Sequence, residues 1–152
     1  QPAFKAYANT SLTLEIPVLE TKATIVGVPQ SQKTWDVAWL GNAAGYLYGS
    51  AFPTWSGNTV ITGHVWNADN TPGIFSNLKA LRYGDQVIIN AFGRRYTYEV
   101  RDVRLVGVGD LVSVFQPEER DWVTLVTCET YNTFKDVFNL RRVVRAVLVS
   151  ID

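Results

Sequence analysis

The chain reads as a mainly β protein, a closed or nearly closed β-barrel with two brief helices. Three observations predict this. Short runs rich in Val, Ile, Thr and Tyr recur along the sequence, most of them alternating apolar and polar residues. Clusters of Gly, Pro, Asn and Asp separate those runs. Only two stretches carry helical spacing, and both are short. A chain of 152 residues without an internal repeat or linker supports one domain. We assign 1–11 to a lead-in and 12–152 to a single domain.

The first strand is expected over Leu12 to Ile16, where Leu12, Leu14 and Ile16 alternate with polar residues and Pro17 intervenes. Ala23 to Val28 form the second, closed by Pro29. Trp35 to Leu40 fit one helical turn, with Asp36 near its start and Gly41-Asn42 at its end. Gly45 to Trp55 hold two glycines, a proline and four aromatics, and read as packed irregular structure. Asn58 to Val65 make a third strand. Ile74 to Leu81 carry Phe75, Leu78 and Leu81 on one side and end before Gly84, which predicts a short helix. Gln86 to Ala91 and Arg95 to Val106 form two strands around the Phe92-Gly93-Arg94 turn. Gly107 to Asp121 read as a surface loop. Val123 to Thr127 and Arg141 to Ile151 are the last strands.

Composition narrows the function. Positive and negative side chains balance to zero, so nothing favours bulk attraction to nucleic acid or acidic membranes. One cysteine excludes an internal disulfide, and one cysteine with one histidine cannot build a standard zinc site. No apolar run reaches the roughly 18 residues of a spanning helix. A targeting segment is expected to precede this domain in a longer protein.

The chemistry concentrates at strand ends. The only cysteine, Cys128, follows Thr124-Leu125-Val126-Thr127, and the only histidine, His64, follows Ile61-Thr62-Gly63. A thiol attacks as thiolate, and a neighbouring imidazole can take its proton and later protonate a leaving amine. Acyl transfer also needs a donor facing the oxyanion. Arg141, Arg142 and Arg145 are the candidates; strand alternation sets Arg141 and Arg145 on one face and Arg142 on the other. Taken singly, each residue also has an ordinary role: buried structural thiol, half-buried histidine, solvated strand-end charge.

Thr124-Leu125-Val126-Thr127-Cys128 resembles the TLxTC signature of sortases, the cysteine transpeptidases of bacterial cell envelopes. Asn58 to His64 resembles their histidine strand. Phe75 to Asp85 is similar to the F-x-x-L…GD segment after it. Arg141 to Ala146 looks like their closing strand, where the family arginine stands five residues before the small residue matching Ala146. That match selects Arg141. The likeness runs from about Leu12 to the C-terminus.

This resemblance implies an eight-stranded sortase β-barrel with Cys128 as nucleophile, His64 as general acid/base and Arg141 holding the substrate carbonyl or oxyanion. Thr127 and the backbone N–H of Glu129 are further oxyanion candidates. Val112, Val114 and Phe115, in the loop before the cysteine strand, are expected to contact the substrate. The implied substrate is an LPxTG-like sorting signal of a secreted surface protein. The implied acceptor is an amine of peptidoglycan precursor or a pilin lysine. The implied location is the extracellular face of the bacterial cytoplasmic membrane, through an N-terminal anchor outside this chain. No cofactor is expected. Calcium-binding members carry acidic residues near the second strand; Thr24 to Lys33 has none, so no calcium site is expected despite Glu118 and Glu119. Two other functions compete. A hydrolytic cysteine peptidase would use the same Cys-His-Arg site with water as acceptor. A carbohydrate-binding β module would use the five Trp and seven Tyr as a platform.

Overall fold

The computed structural model describes residues 12–31, 34–107, 121–127 and 140–152. In chain order its strands are β1 (Thr13–Ile16), β2 (Thr21–Val28), β3 (Gln30–Ser31), β4 (Thr34–Trp35) and β5 (Ala44–Leu47). They continue with β6 (Asn58–Gly63), β7 (Gln86–Ala91), β8 (Arg94–Gly107), β9 (Trp122–Thr127) and β10 (Leu140–Ile151). Eight of them close a barrel in the order β1-β2-β5-β6-β9-β10-β8-β7, and β3 pairs only with β4. The expected mainly β, eight-stranded barrel is therefore the observed architecture. Among the described residues the helices are two single 3₁₀ turns, Pro17–Leu19 and Leu78–Ala80.

Three local expectations are corrected. The segment Gly45 to Trp55 is not wholly irregular, because its start belongs to β5. That strand runs parallel to β2, with Ile25 opposite Ala44, and antiparallel to β6, with Gly45 opposite Thr62. Gly45 argued against a strand, yet a Cβ there would lie 2.8 Å from Val28 Cγ2 and 3.0 Å from Leu40 Cδ1. The glycine is what lets Leu40 close over β5. Next, Trp35 to Leu40 form no helix. Trp35 ends β4 and donates its indole N–H to the Tyr48 carbonyl at 3.1 Å. Asp36 instead caps a turn through the Ala38 N–H at 3.2 Å. Finally, Ile74 to Leu81 is a turn followed by the short 3₁₀ helix. Phe75, Leu78 and Leu81, all buried, stand three residues apart, which is the period of a 3₁₀ helix rather than an α-helix.

The barrel buries apolar residues on both sides of its wall. Its interior cluster includes Leu14, Ile16, Ile25, Ile61, Tyr98, Val100, Leu125 and Val144. Burial pushes the Tyr98 phenol well above its ordinary pKa, and the charges of Asp121 and Tyr96 add to this. A second cluster joins Val26, Val28, Leu40, Leu47, Val60, Val106, Val126 and Val143 on the other face, with Trp35 and Val37 packed against it. β6 is therefore buried at every position, as expected of a parallel-paired central strand.

Between β6 and β9 the Thr124 hydroxyl donates to Asn58 Oδ1 at 2.6 Å, with both residues buried. Thr124→Val preserves shape and removes this bond. It should lower unfolding free energy by about 1 kcal/mol in urea titrations with an unchanged m-value. A shift of the urea midpoint too small to measure would show that the pair contributes nothing net.

Candidate active site

β6 and β9 run parallel, from Asn58 opposite Trp122 to Gly63 opposite Thr127. β10 is antiparallel to β9, from Val143 opposite Val126 to Val147 opposite Trp122. These directions bring the ends of β6 and β9 and the start of β10 to one end of the barrel. The β7–β8 turn and the end of β10 lie at the other.

His64 is the residue immediately after β6 and is half-buried. Gly63 shapes its approach. A Cβ there would lie 2.8 Å from two side-chain carbons of Ile74 and 3.0 Å from Phe75, so a bare Cα lets that turn pack beneath the histidine. The His64 carbonyl accepts the Phe75 N–H at 2.9 Å. One residue back, the buried Thr62 hydroxyl donates to the Val126 carbonyl at 2.8 Å and ties β6 to β9.

Thr127 ends β9 with its side chain buried, and its hydroxyl accepts the Arg142 N–H at 2.9 Å. Threonine hydroxyls thus stitch β6 to β9 and β9 to β10 where the strands reach the site. Arg141 is half-buried at the start of β10, opposite Val106 of β8. Arg145 lies further down the same face, with its guanidinium 4.5 Å above the Trp122 ring. Val60, Val126 and Val143 floor that face within the second apolar cluster.

Of the residues expected at the site, His64, Thr127 and Arg141 thus come from three neighbouring elements at one barrel end. Cys128, Glu129, Val112, Val114 and Phe115 lie outside the described residues. Among the described residues no group of three or more His, Cys, Asp or Glu is arranged to hold a metal ion. The imidazole can exchange a proton, and a guanidinium can face a developing oxyanion.

Sequence reasoning missed several supporting residues. The role of Thr62 needs a partner 64 residues away, and that of Gly73 depends on how the chain folds back onto His64. Leu40 and Leu47 close the apolar face through β5, which the glycines hid. Only the Pro72-Gly73 dipeptide was a visible signal, and it marks a turn without saying what the turn meets.

The family model described as Sortase domain matches residues 14–149. No curated protein sequence matches the chain. Among solved structures, the lid mutant of sortase A from Corynebacterium diphtheriae is 30% identical with a TM-score of 0.76; 95% of this chain covers 72% of that one. Sortase C-1 from Actinomyces oris is 26% identical with a TM-score of 0.76, over 98% of this chain and 82% of that one. Sortase C-3 from Streptococcus pneumoniae shares the fold at 21% identity and a TM-score of 0.75, over 94% of this chain and 64% of that one.

Proposed function

The chain belongs to the sortase family of cysteine transpeptidases, and from that premise we propose that it cleaves an LPxTG-like sorting signal through a thioester on Cys128 and transfers the acyl group to an amine. One observation carries the residue assignment: the register of three adjacent strands. The parallel register that pairs Gly63 with Thr127, continued by one residue, matches His64 with Cys128. The antiparallel register that pairs Val143 with Val126, continued by two, matches Arg141 with the same cysteine. Two independent ladders thus support a row of His64, Cys128 and Arg141. Strand alternation supports a shared face, because each stands an even number of residues from Val60, Val126 or Val143, all in the second cluster.

The reaction follows from these groups. The Cys128 thiolate attacks the carbonyl carbon of the threonine in the sorting signal, forming a C–S bond. Arg141 and the Glu129 N–H face the oxyanion. The C–N bond breaks as the His64 imidazolium protonates the departing amine. An incoming amine then attacks the thioester and gives its proton to His64. The new amide forms and the thiolate leaves. Thr127 serves this site by fixing β10 through the Arg142 N–H. Val112, Val114 and Phe115 line the approach of the peptide. The acceptor is a peptidoglycan-precursor amine or a pilin lysine, and the enzyme works on the outer face of the bacterial cytoplasmic membrane.

The test is mass spectrometry of products from a library of sorting peptides, with and without added amines. The expected result is cleavage after threonine of the preferred peptide and a peptide–amine conjugate when amine is present. Cleavage that yields only the free acid at every amine concentration would replace transfer with hydrolysis. No cleavage of any library member would remove the substrate assignment.

A further inference from the structure

The histidine that opens this row is gripped from behind by a closed loop. After His64 the chain turns out through Val65 to Pro72 and comes straight back. The return is zipped at its neck: Trp66 and Pro72 form a β-bridge, and the Gly73 N–H donates to the Val65 carbonyl at 2.8 Å. Asn67 organises the loop. Its N–H donates to the Thr71 carbonyl at 2.9 Å, and its side-chain amide donates to Asn42 Oδ1 at 2.9 Å and Thr71 Oγ1 at 3.1 Å. The returning arm then binds the histidine itself, through the Phe75 N–H on the His64 carbonyl at 2.9 Å.

Gly73 is the point of closest approach. A Cβ built on it would sit 2.2 Å from the His64 carbonyl oxygen, 2.6 Å from its carbonyl carbon and 2.8 Å from its Cβ. Two of those atoms are backbone and cannot swing aside, as the tip of a long side chain can. A methyl group at this position has to displace either the loop or the histidine.

We infer that Gly73 and the loop it closes form a clip that sets the position of the His64 imidazole, with Gly73 a positioning residue for proton transfer. This rests on the assignment of His64 as general acid/base. The physical reason is geometric. On its N-terminal side His64 is held by β6, and a displacement of about 1 Å in a catalytic group can cost on the order of 10²-fold in rate. Gly73 has no side chain and meets the backbone of His64, so its effect is expected in kcat.

Gly73→Ala tests this in the full chain. Peptide cleavage should lose on the order of 10–100-fold in kcat, with KM within about threefold of wild type. Thiol alkylation should persist. His64 is the only histidine, so histidine-selective NMR reads its imidazole without ambiguity. Its ring signals and titration midpoint should move, and the limb of the pH–rate profile that depends on His64 should move with them. Gly93→Ala is the control. It strains a positive-φ turn at the opposite barrel end, with nothing within 4 Å of the added carbon. It should lower stability and leave the imidazole signals and kcat as they are. Asn67→Ala adds no atoms and loosens the clip, and should produce the Gly73→Ala changes in weaker form. A folded Gly73→Ala protein with wild-type imidazole signals and kcat overturns the inference. If Gly73→Ala fails to fold, unchanged signals and kcat in Asn67→Ala overturn it. Moved imidazole signals in a protein whose wild type cleaves no sorting peptide would keep the clip and reject the enzymatic assignment.

Discussion

Replacing Cys128 by alanine should abolish peptide cleavage and thioester formation while the protein stays folded. The expected loss is on the order of 10⁴–10⁶-fold, the scale seen when a covalent nucleophile is removed from an acyl-transfer site. Nothing else in the chain can substitute, since this is the only cysteine. Folding should survive because the described ladders and apolar clusters already hold β9 through Val123, Leu125 and Val126. The measurements are intact-mass detection of an acyl adduct, alkylation by iodoacetamide, peptide cleavage, and circular dichroism. Wild-type protein should give adduct, alkylation and cleavage, and the variant none of them with the same spectrum. Cleavage near the wild-type rate in Cys128→Ala would end the cysteine mechanism and leave only the fold in common with sortases.

Arg141→Ala should lower the rate by on the order of 10²–10³-fold, the usual loss of one oxyanion donor. Arg141→Lys should recover only part, because an ammonium is a point charge and lacks the planar fork of a guanidinium. The neighbouring arginines are built-in controls with different structural roles. Arg142 contributes its backbone N–H to Thr127, a bond that survives loss of the side chain. Its side chain belongs to the opposite face of β10. Arg145 shares the face of Arg141 but stands about 13 Å along the strand, at roughly 3.3 Å per residue, where it covers the Trp122 ring. Arg145→Ala should therefore cost about 0.5–1 kcal/mol of stability with a rate within a few-fold of wild type. Arg142→Ala should likewise stay within a few-fold. All four variants can be compared in one peptide-cleavage assay. Inactive Arg145→Ala or Arg142→Ala beside active Arg141→Ala would show that β10 is placed out of register at the site, and the assignment of Arg141 would fall with it.

Neighbouring strands matter more here than closeness in sequence. β6 and β9 are parallel neighbours, and a parallel pair needs a long crossover. That crossover includes the short helix Leu78–Ala80 and strands β7 and β8. The barrel's far wall is thus laid down between those two strands.

How far the sequence reaches can be judged from particular residues. Alternation identified β1 and β8 nearly to their ends, because a half-buried strand shows a period of two, and runs of β-branched and apolar residues identified β6, β7 and β10. It failed at β5, a four-residue strand whose pattern includes Gly45, because that glycine answers a steric demand from Val28 and Leu40. It overran at Ile74 to Leu81, where a spacing of three predicts a short helix and the structure has a turn followed by a 3₁₀ helix over Leu78–Ala80. The reactive residue types, their position at strand ends and the family likeness were all legible, since they depend on local order along the chain.

What the sequence determined by itself is therefore the β character, the single cysteine and histidine, and a choice among three arginines carried by resemblance to a family. Tertiary structure alone decided which strands are neighbours: β6 against β9, β9 against β10. It alone decided that Thr62 and Thr127 stitch those neighbours together, and that Gly73 rests on the His64 backbone. The reason is physical. Periodicity reports which face of a strand is buried. Strand pairing and hydrogen bonding by a buried hydroxyl depend on residues that can lie tens of positions away, contact at a bare Cα depends on how the chain folds back, and none of these leaves a mark on the local pattern that a single sequence displays.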